Sequence, residues 1–211
     1  MGLEVEARFR ATDPEVLSEL ARLERLGPAQ LGPPATVSET DRYLDTSDGR
    51  LAAARWACRL RHRDGVTILS LKGPPESTDD AWHHRRPEVE GPATPSLDPA
   101  TWPPGAARDR LMAMAGGHPL RERFALAQRR TERTVHVDGA AVGTLSLDAV
   151  RVLVEALERG RFEIVELELH EAGGGAEEHL VALAAALAAI PGLRPEPRTK
   201  LELAVDRIAT S

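Results

Sequence analysis

The sequence predicts an α+β, mainly β fold: an antiparallel barrel of about eight strands flanked by a few helices. Three observations predict it. Like charges stand one residue apart at Glu4/Glu6, Arg59/Arg61, Glu88/Glu90 and Glu166/Glu168, and in a strand residues i and i+2 share a face. Apolar residues alternate with them, Val5, Leu60 and Val165, Leu167 and Leu169, which is the period of a half-buried strand. Asp64-Gly65 lies between two alternating runs, a strong hairpin signal. The periodicity does not say which face is the interior. Either the charges coat solvated outer faces, or they line a barrel lumen covered outside by apolar packing, and that lumen binds a polyanion with metal ions.

The elements follow in chain order. Leu3 to Arg10 reads as the first strand. Thr12-Asp13-Pro14 opens a helix with Asp13 as its cap and Pro14 at its first position; Val16, Leu17, Leu20, Leu23 and Leu26 form the apolar stripe, and Gly27-Pro28 ends it. Gly32-Pro33-Pro34 is a loop, and Thr36 to Leu44 is extended up to a turn at residues 45–49. Trp56 to Arg63 and Val66 to Lys72 flank the hairpin turn. Glu88 and Glu90 mark another strand, and Pro87 before them implies a bulge or a strand start. Gly91 to Gly105 is too rich in proline for a regular element and reads as a connection or a lid. A short helix from Ala106 to Ala115 stops at Gly116-Gly117. Phe124 to Val137, Gly143 to Val154 and Phe162 to Glu171 are three further strands, with Gly139 and Gly160 at the turns between them. Gly173-Gly174-Gly175 lacks a following Lys-Ser/Thr and reads as a flexible connection, not a phosphate loop. Ala176 to Ile190 is a helix whose stripe of Leu180, Leu183, Leu187 and Ile190 packs on the barrel, and Thr199 to Ile208 closes the chain.

Composition bounds the function. At 211 residues, 42% hydrophobic and 28% charged, the chain can bury a full core and is expected to form one domain over residues 1–211. A net charge of −6 argues against general nucleic-acid binding, so any polyanion site must be local. Cys58 is the only cysteine, which leaves no disulfide framework or cysteine-rich zinc site. Met1 leads into charged alternating sequence, and the apolar run from Leu180 to Ile190 is too short to span a bilayer. The expectation is a cytoplasmic protein with no membrane partner, a monomer or a homodimer.

Glu4-Val5-Glu6-Ala7-Arg8 resembles the Glu-x-Glu-x-Lys signature of the CYTH family, the triphosphate tunnel metalloenzymes. Tyr43-Leu44-Asp45-Thr46, Cys58-Arg59-Leu60-Arg61 and Leu69-Ser70-Leu71-Lys72-Gly73 are similar to the next motifs of that family. Arg86-Pro87-Glu88-Val89-Glu90, Arg129 to Arg133, Leu147-Asp148, Glu166-Leu167-Glu168-Leu169 and Thr199-Lys200-Leu201-Glu202 follow in the family's order, nearly end to end. The resemblance implies an eight-stranded antiparallel closed barrel, open as a tunnel, whose inward charges bind a triphosphate or polyphosphate with Mg²⁺ or Mn²⁺. It implies a catalytic set of Glu4, Glu6, Arg8, Glu88, Glu90, Asp148, Glu166 and Glu168. Glu4, Glu6 and Glu168 are its foremost metal ligands, with Asp148 and Glu166 completing the metal set. Arg8, Arg59, Arg61, Lys72, Arg129, Arg133 and Lys200 are its phosphate-binding set.

Electrostatics supports the tunnel reading. Carboxylates two apart on a strand are about 6.7 Å apart and repel by about 2.5 kcal/mol at an effective dielectric near 20. Packing seven into one lumen requires cations, supplied by the basic side chains and by a hard divalent ion that suits all-oxygen ligands. Arginine grips phosphate oxygens with two parallel hydrogen bonds and lysine as a point charge. The expected chemistry is metal-assisted hydrolysis of inorganic tripolyphosphate to pyrophosphate and orthophosphate. The alternatives are an adenylyl cyclase, a thiamine or nucleoside triphosphatase, and a polyphosphate-binding module without turnover. Trp56, Trp82 and Trp102 could form a tunnel mouth for an organic group, although aromatics are only 3% of residues.

Four positions carry their own readings. Arg8 keeps the family's charge but cannot give up a proton as lysine can. Strand parity puts Arg129 and Arg133 on one face and Arg130 on the other unless a bulge intervenes. His83-His84 lies in polar sequence and reads as a solvated pair. Cys58 is expected to face the apolar shell, opposite Arg59 and Arg61.

Overall fold

In the computed structural model, which describes residues 2–76, 80–170 and 175–210, the chain forms β1 (Gly2–Ala11), α1 (Pro14–Leu20), β2 (Arg25–Leu26), β3 (Ala29–Leu31) and β4 (Ala35–Thr46). Then come α2 (Arg50–Ala53), β5 (Ala57–Arg63), β6 (Val66–Lys72), β7 (His83–Ala93), α3 (Ala106–Ala115), β8 (Leu120–Val137), β9 (Ala140–Val154) and β10 (Leu157–Leu169). The chain ends with α4 (Gly175–Ala188), β11 (Leu193–Pro195) and α5 (Lys200–Ala209). Strands β4, β5, β6, β7, β1, β10, β9 and β8 pair in that order, and β8 pairs back to β4, closing an eight-stranded antiparallel barrel as expected. The short β2 and β3 extend from β8, and β11 pairs with β1.

The barrel is apolar on most of its outer face. Helices α1 and α4 cover β1, β9 and β10 through a cluster that includes Phe9, Leu145, Leu167, Leu180, Leu183 and Leu187. Each such leucine, fully buried, contributes about 1.5–3 kcal/mol. Helices α2 and α3 cover β5, β6 and β7 through Leu51, Leu60, Leu69, Leu71 and Leu111, and Cys58 lies in this shell as expected. A third cluster lies inside: Leu203 and Ala204 of α5 pack on Phe124, Leu126, Val150, Val152, Phe162 and Ile164, so the C-terminal helix fills one end of the lumen with apolar contacts.

Several expectations about elements are corrected. Helix α1, capped by Asp13 as expected, stops at Leu20 instead of running to Leu26. Arg133 donates to the carbonyls of Leu20 (3.2 Å), Ala21 (3.1 Å) and Leu23, and so supplies the C-terminal partners that a longer helix would have supplied. Pro87 neither bulges nor starts its strand, which begins at His83 and pairs Pro87 with Leu3 in unbroken register. N and O of one strand residue point to the same side, and the Pro87 carbonyl accepts from Gly73, just past the end of β6. The missing N–H therefore faces Gly73, past the last paired residue of β6, and takes no bond from the β1 ladder. The 91–105 segment is not a lid: β7 runs to Ala93, and Trp102 is buried in the outer shell with its indole N–H on the Ser96 carbonyl at 3.0 Å.

The turns at Asp64-Gly65 and Asp138-Gly139 carry positive φ at both residues, as the hairpin reading requires. The β9–β10 turn, however, is Glu155-Ala156, at φ 50° and 64°, not Gly160. Gly160 sits within β10 at a register shift, where an added Cβ would come within 3.1 Å of Arg207 on α5. The glycine serves a close approach and not a turn. Gly173, Gly174 and the expected strand end at Glu171 lie outside the described residues.

Candidate active site

Strand parity places the charged pairs inside. Glu4, Glu6 and Arg8 on β1, Arg59 and Arg61 on β5, Lys72 on β6, Glu88 and Glu90 on β7, Glu166 and Glu168 on β10 and Lys200 at the start of α5 all line one cavity of about 160 Å³. Strands β5 and β10 are four apart in either direction around the barrel, so Arg59 and Arg61 stand on the wall opposite Glu166 and Glu168.

On one side fixed cations saturate the acids. Asp148, fully buried, receives a two-bond fork from Arg130 (2.7 Å each) and the Lys200 ammonium at 2.6 Å. Glu166 is met by Lys200 at 2.7 Å, Arg8 at 3.0 Å and Arg130 at 3.3 Å. Burial alone would raise both carboxyls; these cations outweigh it and hold both below the usual carboxylate range. Asp41 is gripped by Arg61 (2.8 and 2.9 Å) and Arg59 (3.3 Å), and is likewise held well down against the cost of burial.

On the other side negative charge is in surplus. Glu4 is bound by Lys72 and by Arg86 at 2.6 Å, which overcome burial and keep it ionised. Glu6 bonds to Arg8, but that guanidinium also serves Glu166; burial, reinforced by Glu4 and Glu166, pushes Glu6 up to about 7. Glu168 has no partner among the described residues and is raised by partial burial and by Glu4, Glu88 and Glu166. Glu90 is raised by burial and by Glu88. Glu88 accepts from Ser70 at 2.6 Å, with Lys72 at 3.3 Å.

Two expected phosphate ligands are elsewhere. Arg129 is exposed on the outer face of β8, and it is Arg130 that enters the lumen. Arg133 points out of the barrel as well, its guanidinium also taking the carbonyls of Gly32 (2.8 Å) and Leu31 (3.2 Å). The parity was fixed by β4, whose Glu39 stands opposite Gln128 and brings Gln128, Arg130 and Glu132 inward. His84 is a further correction: it is buried in β7, with Nδ1 3.3 Å from Arg8 Nη1 and Nε2 2.9 Å from the Glu196 carbonyl. Arginine can only donate and a carbonyl can only accept, so the ring is the neutral Nε2–H tautomer. Burial, aided by Arg8, lowers His84 to about 4. Among the tryptophans, Trp82 stacks on His83 and packs on the outer shell, and only Trp56 borders the tunnel side.

Sequence reading missed Glu39, Asp41, Arg86 and Arg130 as lumen residues. The signal was present, since Glu39-x-Asp41-x-Tyr43 and His84-x-Arg86-x-Glu88-x-Glu90 continue the same one-apart spacing. The Tyr43-Leu44-Asp45-Thr46 segment plays a different part. Asp45 accepts from the backbone N–H of Thr46 (2.7 Å), Leu51 (3.0 Å) and Ala52 (3.2 Å), anchoring α2 on the outside.

The chain is thus a closed antiparallel barrel whose lumen sets carboxylates and guanidiniums on facing walls. The chain belongs to the CYTH domain family, whose model matches residues 2–203. Among solved structures it is similar to a Hippeastrum protein described as an adenylyl cyclase with a dominant triphosphatase activity, at 20% identity and TM-score 0.70, covering 96% of this chain and 95% of that one. It is also similar to a Bacillus halodurans protein described as an adenylate cyclase (20% identity, TM-score 0.60, 96% and 98% covered). A Pyrococcus horikoshii protein shares the fold at 16% identity and TM-score 0.54, covering 96% and 99%. No curated protein matches the chain. No helix among the described residues is long and apolar enough to cross a membrane.

Proposed function

We propose that the chain is a metal-dependent triphosphatase that hydrolyses inorganic tripolyphosphate to pyrophosphate and orthophosphate in the barrel lumen. The observation that carries this reading is the placement of Arg59 and Arg61 across the lumen from Glu168, with Glu6 and Glu168 left short of cations. Arg59, Arg61, Lys72, Arg130 and Lys200 are the phosphate-gripping set. Arg59 Nε–H is buried without an acceptor among the described residues, a donor left available to a phosphate oxygen.

Glu4, Glu6 and Glu168 suit a divalent cation in chemistry: all are hard oxygen donors, and the raised Glu6 and Glu168 mark charge that a cation would relieve. Among the described residues no three acidic or imidazole groups converge on one point, because Glu4 is held by Lys72 and Arg86 and Glu6 by Arg8. These three residues would hold Mg²⁺ or Mn²⁺ after exchanging those partners. When bound, the ion supplies charge neutralisation on the phosphates. Phosphate oxygens would in turn take over the arginines now bonded to Asp41 and Asp148. Glu90, a lumen carboxylate outside the metal-holding set, would orient the attacking water.

A second reading has its own observation. A chamber of about 370 Å³ adjoins the lumen, lined by Trp56, Phe124, Leu201 and Val205 and sharing Tyr43, Lys72 and Arg86 with it. Such a chamber would accept the organic group of a thiamine or nucleoside triphosphate. Incubation with tripolyphosphate, ATP and thiamine triphosphate, each with Mg²⁺ or Mn²⁺, and resolution of the products separates the readings. Orthophosphate from tripolyphosphate, with slower action on ATP, is expected. Pyrophosphate plus cyclic AMP from ATP, with tripolyphosphate untouched, would establish a cyclase. Binding of all three without turnover would leave a polyphosphate-binding module.

A further inference from the structure

Arg8 is 1% exposed, and four of its five N–H donors have acceptors. Nε donates to Glu166 at 3.0 Å, Nη2 to Glu6, and Nη1 both to the Arg198 carbonyl at 3.1 Å and to His84 Nδ1 at 3.3 Å. His84 passes its own donor to the Glu196 carbonyl at 2.9 Å, and Glu196 N–H donates to the Arg8 carbonyl at 3.1 Å. Both inward carbonyls belong to one turn, residues 196–199, between β11 and α5. That turn is internally braced: Arg198 forks onto the Glu196 carboxylate (2.8 Å each) and reaches Asp206 on α5 at 2.8 Å. Immediately after it comes Lys200, whose ammonium meets Asp148 and Glu166.

We infer that Arg8 and His84 are positioning residues that bolt the 196–199 turn to β1 and β7 and thereby place Lys200 in the lumen. A lysine at position 8, with three N–H on one nitrogen, could not serve four acceptors spread over three strands and the turn. Arginine at this position therefore acts as a bracket, and the phosphate contact falls to Lys200. The inference rests on the proposed triphosphate site for its consequence but not for its geometry.

The test separates the two. His84→Asn keeps an acceptor where Nδ1 stands, and His84→Gln keeps a donor where Nε2 stands. Hydrogen exchange in the ligand-free protein reads the bracket. We expect amides of residues 198–205 to exchange about tenfold faster in His84→Ala and His84→Asn than in the wild type, with His84→Gln restoring much of the protection. Titration calorimetry with tripolyphosphate reads the consequence: His84→Ala should weaken binding about tenfold in the wild-type background and less than about twofold in Lys200→Ala. Unchanged exchange in all three variants, restoration by Asn instead of Gln, or a full affinity loss in the Lys200→Ala background would overturn the inference. If the wild type binds no tripolyphosphate, the proposed function fails and the exchange result alone decides the bracket.

Discussion

Glu6 and Glu168 stand directly opposite one another on β1 and β10, facing the same lumen. Like charges directly across a strand pair destabilise it. The guanidinium nearest the pair, Arg8, is divided between Glu6 and Glu166 and makes no bond to Glu168.

A divalent ion should therefore stabilise the fold before any substrate is added. Millimolar Mg²⁺ or Mn²⁺ is expected to raise Tm, with a gain of about 2.7 kcal/mol at a hundredfold excess over Kd. Glu168→Gln should lose most of that rise while being at least as stable as the wild type in chelator. Thermal melts with and without metal decide it, and an equal rise in the variant would remove Glu168 from the metal site.

Arg129 and Arg130 are adjacent in sequence and opposite in fate. Arg130→Ala leaves Asp148 buried with Lys200 alone, so it should cost about 3–5 kcal/mol in denaturant unfolding and weaken triphosphate binding. Arg129→Ala, on the outer face, should change stability by less than about 0.5 kcal/mol and leave binding alone. Reversed effects would mean that β8 carries the other face inward.

Arg133 should behave as a structural residue. Its removal takes a donor from the carbonyls of Ala21 and Leu23 after α1 and of Leu31 and Gly32 at the end of β3, a loss of about 2–4 kcal/mol. Tripolyphosphate affinity, measured under conditions where the variant is folded, should stay at the wild-type value; a clear loss would return Arg133 to the phosphate-binding set.

The pH dependence of stability has two opposing parts. His84 falls from 6.5 to about 4 on folding, so between those values the unfolded chain holds a proton the folded chain lacks, and stability drops as pH falls. Glu6 rises from 4.5 to about 7, so the folded chain holds the extra proton and stability drops as pH rises through that window. His84→Gln removes the first part. Its stability should fall with rising pH by about 1 kcal/mol per unit between roughly pH 5 and 6.5, more steeply than the wild type. Parallel wild-type and variant curves from denaturant titrations would show that His84 is not held neutral.

Much of the fold was legible in the chain. Alternation in Glu4-Val5-Glu6, Arg59-Leu60-Arg61 and Glu166-Leu167-Glu168 marked strands, because a pleated backbone sends successive side chains to opposite faces. Asp64-Gly65 and Asp138-Gly139 marked turns that require positive φ. The site was legible wherever two like charges made the alternation conspicuous. It was hidden where one charge stood beside residues of another kind, as at His84 and Arg86, while the Glu39/Asp41 pair carried the signal and was passed over.

What the sequence by itself determined, then, was the period of each strand and the positions of most hairpin turns. Only the tertiary structure decided which parity faces the lumen. In β8 both faces carry arginine, and the inner face changes from Phe124 and Leu126 to Gln128, Arg130 and Glu132 along its length, so composition gives no consistent inside. Register against Glu39 on β4 settles it, and register depends on closing the whole barrel. Arg133 binds only backbone carbonyls, and Arg8 and His84 each bind one, brought from up to 190 positions away. A carbonyl is present at every residue, so no side-chain pattern reveals which of them the fold will present.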